Sequence, residues 1–120
     1  MQESKFSITN TTKRTPPSVP FANIKNKVLG KDYLLSLVFI GAKKSQKLNL
    51  TYRGKNKPTN ILSFPLSKFS GEIFICLDII KKEAMPVGFL FIHGLLHLKG
   101  YSHSSTMERA ESKLRKKFNV

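Results

Sequence analysis

Residues 86–103 read PVGFLFIHGLLHLKGYSH, and the spacing within this stretch decides how the chain folds around it. Leu90, Phe91, Ile92, Leu95, Leu96 and Leu98 follow one another with few polar interruptions, which predicts a helix buried over most of its circumference. Pro86 suits the first turn, where its fixed φ and missing amide cost nothing. Gly100 suits the end, where left-handed backbone turns the chain. The apolar run from Val87 to Leu98 is broken by two histidines and is well short of the ~20 residues that cross a bilayer. It belongs to a core.

All three histidines of the chain lie in this stretch, at His93, His97 and His103. The spacing puts His93 and His97 on one helix face, one turn apart, and a left-handed Gly100 carries His103 back toward the same point. Three imidazoles can take three corners of a tetrahedron at about 2.0–2.1 Å from a zinc ion and leave the fourth for water. Imidazole also accepts nickel, copper and iron. Polar rings on an apolar helix need partners, which argues against unrelated core or surface histidines. Metzincin proteases share this spacing but need a glutamate directly after the first histidine to take a proton from zinc-bound water. Gly94 holds that position, which disfavours their mechanism.

Outward from this helix the elements alternate. Residues 5–9 read as a short edge strand, 11–20 as a proline-rich loop, and Phe21 to Leu29 as a helix stopped by Gly30. Tyr33 to Ile40 is a near-continuous apolar run that predicts the centre of a sheet. Leu48, Leu50 and Tyr52 among lysines predict a surface helix from Ala42 to about Tyr52, and Arg53 to Asn60 a polar loop. Ile61 to Pro65 predicts a strand that the proline ends, and Ser70 to Leu77 another, with Asp78 as N-cap of a short helix. Ser105 and Glu108 form the capping box of a last helix with Met107, Ala110, Leu114 and Phe118 on its apolar face. The expected architecture is α/β (α+β), one small mixed sheet of about four strands with three to five helices, in a single domain spanning 1–120.

Charge narrows the partner. The 120 residues hold 21 Lys and Arg against 7 Asp and Glu, a net charge of +14. The cations are spread along the chain rather than gathered on one amphipathic helix, which suits a phosphate-rich polymer better than a membrane surface. A solvated basic face is the plain alternative. The single Cys76 excludes a disulfide scaffold and reads as a small buried hydrophobe. The opening MQESKFSITN, with the acidic Glu3, lacks the features of a leader, so a soluble cytoplasmic protein is expected.

The segments HGLLHLKGYSH (93–103) with MERAE (107–111), LNLTYRGKNKPTNILSFP (48–65) and GEIFIC (71–76) together resemble the YbeY family of bacterial metal-dependent endoribonucleases over about residues 33–117. The resemblance implies an α/β sandwich and a zinc ion, one per chain, on His93, His97 and His103. It implies single-strand RNA cleavage in maturation of the small-subunit ribosomal RNA 3′ end and in ribosome quality control. The family's catalytic arginine falls on Arg53, and the ribosome or its small-subunit proteins become expected partners. Lys55 and Lys57, close by in sequence, are candidates to hold flanking phosphates. The family usually reads Gly-Tyr-Asp-His where this chain has Gly100, Tyr101, Ser102 and His103, so a carboxylate beside the third ligand is missing. The connection from Cys76 to His93 is also shorter than is common in the family.

Glu108 and Glu111 read either as an acid/base pair or, equally, as cap and solvated helix face. Tyr101 reads as a packing anchor, and Thr59, Asn60 and Ser63 as turn and strand-end residues in the first place, with lining of the cleft as the alternative. A second reading of the whole chain is an RNA- or ribosome-binding biogenesis factor with a structural metal and no significant cleavage. A third is a zinc hydrolase of another substrate.

Overall fold

The structure, a computed structural model, describes residues 5–120; the first four residues, Glu3 among them, lie outside these. Strand β1 (Phe6–Asn10), helix α1 (Phe21–Leu29) and strand β2 (Leu34–Ile40) come first. Helix α2 (Ala42–Arg53), strands β3 (Ile61–Ser67) and β4 (Ser70–Cys76), and helices α3 (Leu77–Glu83), α4 (Val87–Lys99) and α5 (Ser105–Phe118) follow. The sheet order is β1-β2-β4-β3. β1 and β4 run parallel to β2, and β3 runs antiparallel to β4. This is the mixed four-stranded α+β fold that the sequence predicts.

Alternation along β2 and β4 turns Leu35, Leu37, Phe39, Ile73 and Ile75 to one face, all of them buried. Phe21, Ile24 and Val28 of α1 and Leu90, Phe91, Ile92 and Leu95 of α4 complete that core. Phe91 meets Phe21 edge-on with ring centroids 5.0 Å apart, and Phe6 from β1 lies 6.2 Å away. On the other face Leu62 pairs with Phe74, Phe64 contacts Phe74, and Tyr52 at the end of α2 rests on Phe64 at 5.0 Å.

Several boundaries differ from the expected ones, each for a physical reason. Pro65 lies inside β3 rather than ending it, because β3 is an edge strand and a missing amide is tolerated there, at a register irregularity between Pro65 and Ser67. Arg53 is the last residue of α2, not the first of a loop; Gly54, at φ 71°, closes the helix. α2 is the surface helix expected, with Leu50 and Tyr52 exposed, and its buried positions are the polar Ser45 and Asn49. Asp78 sits in the first turn of α3 rather than at its cap, with its carboxylate on Arg14 and the Ala42 amide. The cap of α5 is Ser104, whose hydroxyl accepts from the Met107 amide at 3.2 Å. Cys76 is buried and free. No helix among the described residues is long and apolar enough to cross a membrane.

Candidate metal centre

Gly94 fixes where α4 meets the sheet. A Cβ built there would stand 2.9 Å from both Ile61 Cδ1 and Ser63 Oγ, so glycine lets the helix backbone lie against these β3 side chains without displacing them. The contact brings His93 and His97, on either side of Gly94, beside the start of β3. It also leaves no room for the glutamate of a metzincin. The helix ends at Gly100, whose φ of 109° lets the Tyr101 amide reach back to the Leu96 carbonyl at 3.0 Å. The chain then doubles back, and the His103 ring comes to 5.0 Å from that of His93 and 4.9 Å from that of His97.

One ligating atom from each of the three histidines lies within 4.8 Å of the others. The outer nitrogens of two of them are already committed. His97 Nδ1 lies 3.1 Å from the Tyr101 carbonyl, which can only accept, so Nδ1 carries the proton. His93 Nδ1 lies 2.9 Å from Glu111 Oε1, and donates to that carboxylate. Both Nε2 atoms therefore present lone pairs, and they face each other at 3.0 Å. Two acceptors at that distance repel unless a cation or a shared proton lies against them. Burial first, and then the nearness of a second titratable ring in His93, which disfavours a proton on both, hold the His97 imidazole below its usual range. The neutral ring is the form that ligates. The donor set thus fits a divalent ion with an affinity for imidazole nitrogen, with exposed His103 closing the set from the solvent side.

Glu111 departs from the sequence reading. It is buried rather than solvated, because α5 packs back along α4 and turns this residue inward with Met107. Its role is to fix the tautomer and orientation of His93, as carboxylates commonly do behind metal-bound imidazole. Ser102 supplies no carboxylate beside His103; Glu111 supplies one behind His93. The i, i+4 relation of Met107 and Glu111 could have suggested a shared inward face.

The histidines open into a cleft of about 540 Å³ lined by Arg53, Lys55, Thr59, Asn60, Ile61 and Ser63. Arg53 and Lys55 are thus on the same cleft as the histidines. Lys57 is not; it lines an adjoining cavity. Thr59, Asn60 and Ser63 line the cleft, the alternative to purely turn and strand-end duties. Tyr101 is partly buried against the core, as a packing residue, and adds its carbonyl to His97.

The profile of the family described as Endoribonuclease YbeY matches residues 2–119. The chain belongs to the YbeY endoribonuclease family. The Endoribonuclease YbeY of Ehrlichia canis is 39% identical over 105 residues, covering 72% of this chain and 68% of that protein. The Endoribonuclease YbeY of Buchnera aphidicola is 35% identical, covering 85% of this chain and 81% of its own. Among solved structures, the solution structure of TM1509 from Thermotoga maritima superposes with a TM-score of 0.59 at 22% identity, over 91% of this chain and 85% of that one. The last likeness concerns the fold. Membership of the YbeY family gives the histidine cleft an enzyme's setting.

Proposed function

We propose that this protein is a zinc-dependent endoribonuclease that cuts single-stranded ribosomal RNA, in the 3′-end maturation of the small subunit and in ribosome quality control, and that residues 1–120 form one catalytic domain. The observation that carries the reading is the facing pair of Nε2 lone pairs at 3.0 Å, at the head of a cleft that holds Arg53 and Lys55. Family membership supplies the reaction class. The net charge of +14 supports a polyanionic partner.

His93, His97 and His103 would hold the ion, with Glu111 and the Tyr101 carbonyl orienting two of the rings. When bound, zinc polarises a phosphoryl oxygen and brings the pKa of a coordinated water toward ~7. The Arg53 guanidinium binds the nonbridging oxygens of the phosphodiester, where negative charge grows in the transition state. Arg53 has the planar fork that matches two such oxygens. Lys55 adds a point charge for the same or the next phosphate. Gly54, left-handed, separates the two cations and lets both face the cleft. The single free, buried Cys76 suits a reducing cytoplasm.

The test is metal content by mass spectrometry together with cleavage of a single-stranded ribosomal RNA fragment. Wild type is expected to carry one zinc per chain. His97→Ala is expected to lose the metal and all cleavage. Arg53→Ala is expected to keep metal and fold and to lose about 10²–10³ in kcat, the scale of removing one charge-stabilising donor. Metal-loaded protein that binds RNA but whose cleavage ignores both substitutions would return the chain to an RNA- or ribosome-binding factor with a structural metal.

A further inference from the structure

We propose that the cavity on the far side of Arg53, between the end of α2 and helix α3, seats a nucleotide flanking the cleaved phosphodiester of a single-stranded RNA. The proposal rests on the ribonuclease reading above and extends it to residues outside the histidine cleft.

This cavity measures about 610 Å³ and shares Arg53, Lys55, Thr59 and Asn60 with the cleft. One strand can therefore occupy both spaces without leaving the surface. Lys57 and Lys82 line only the second cavity, and with Arg53 and Lys55 they place four cations against a single carboxylate, Glu83. Such an excess selects phosphate. Pro58 and Ile79 add apolar surface on which the face of a base can rest. The volume lies within the range of small-ligand sites.

Two polar side chains hold the walls of the cavity in place. Glu83 Oε1 accepts from the Asn60 amide at 3.1 Å and so fixes Asn60 at the boundary between the two spaces. Asn49, 1% exposed, stands in the wall. Its Nδ2 donates to the Lys57 carbonyl at 2.8 Å, whereas its Oδ1 has no hydrogen-bond partner among the described residues. That oxygen is shut off from the cavity, so Asn49 acts on the wall itself, holding through the Lys57 carbonyl the loop on which Lys55 and Lys57 stand.

The first measurement is fluorescence anisotropy of a labelled single-stranded RNA 12-mer on metal-free protein over a salt series. Lys82→Ala is expected to weaken binding several-fold and to reduce the log–log salt slope by about 0.7, one phosphate contact. The matched control is Lys117→Ala, near the C-terminal end of α5, about 20 Å of helix from His103 at 1.5 Å per residue. It is expected to shift neither quantity by as much. In zinc-loaded protein, Lys82→Ala is expected to raise KM for the 12-mer at unchanged kcat. It leaves a dinucleotide substrate, too short to span both spaces, cleaved as by wild type. Equal effects of Lys82→Ala and Lys117→Ala on the slope would overturn the proposal. So would a loss on the dinucleotide as large as on the 12-mer. If wild type cleaves nothing while the Lys82-specific binding loss persists, the nuclease reading fails and the RNA seat stands.

Discussion

Helices α4 and α2 each deliver functional side chains to one cleft, and they are held in place by opposite means. α4 brings His93 and His97 and is anchored by Phe91, Ile92 and Leu95, none of which is exposed. α2 brings Arg53 and is anchored by hydrogen bonds. The Asp78 carboxylate accepts from the Ala42 amide at 3.2 Å at its start. Midway, Ser45 Oγ donates to the Thr59 carbonyl at 2.7 Å and accepts from the Thr59 amide at 2.8 Å. Near the end, Asn49 holds the Lys57 carbonyl. Apolar anchoring is non-directional and scales with area, whereas these three clamps fix a helix's angle and register through geometry. The difference teaches that the candidate metal ligands depend on the core, and the arginine on a polar seam that also builds the loop carrying Lys55 and Lys57.

The largest break in this comparison should come from the apolar side. Phe91→Ala removes a fully buried ring that meets Phe6 and Phe21, and should cost about 3–5 kcal/mol of folding stability, read by denaturant unfolding. The fraction that remains folded should bind added zinc as wild type does, because Phe91 points into the core while the histidines face the cleft. On the polar side, Ser45→Ala leaves the Thr59 amide and carbonyl without their partner and should cost about 1–3 kcal/mol. Its distinguishing mark is kinetic: kcat should fall at unchanged metal content, since Arg53 and the Thr59 wall shift together. Ser45→Ala with reduced zinc and unchanged kcat per metal would mean that the seam supports the histidines instead.

Glu111 sharpens the same contrast, because it is a polar clamp on the apolar helix. Glu111→Gln should weaken zinc about 10–100-fold, measured by competition with a chelator, with a smaller change in unfolding midpoint of the metal-free protein. An unchanged zinc affinity would assign Glu111 to packing alone.

What was legible in the sequence follows the same division. α4 could be read because its signals are local: apolar residues along one run, a glycine at the end, and histidines at i and i+4. The mixed sheet was legible from apolar runs of strand length. α2 was legible as a surface helix, with Leu50 and Tyr52 exposed as expected, but not in the residues that hold it. Ser45 and Asn49 anchor the helix only through partners 14 and 8 residues away, in a loop with no periodic pattern. Glu111 was ambiguous for a related reason. Its burial depends on α5 returning beside α4, a packing decision that no local window contains. Pro65 shows the converse, a strong local signal overridden by an edge position that only the sheet order reveals.

The smallest effect tests the outermost clamp. Arg14 Nε lies 2.7 Å from Asp78 Oδ1, and this bond, followed by the Ala42 amide, holds the Asp78 carboxyl below the usual carboxylate range. A depressed carboxyl stabilises the fold at pH values above its unfolded pKa, about 3.9, and loses that contribution as pH falls through the lower folded value. Asp78→Asn should therefore be less stable than wild type near neutral pH, and the two should converge as the medium is acidified below about pH 4. Both side chains are substantially exposed, at 44% and 41%, so screening limits the difference to about 1 kcal/mol or less. Unfolding curves at pH 7 and pH 3 measure it. Asparagine keeps the planar shape and an acceptor oxygen for the Ala42 amide, so the substitution removes charge alone; a gap that does not shrink between pH 7 and pH 3 would overturn the electrostatic account of this clamp.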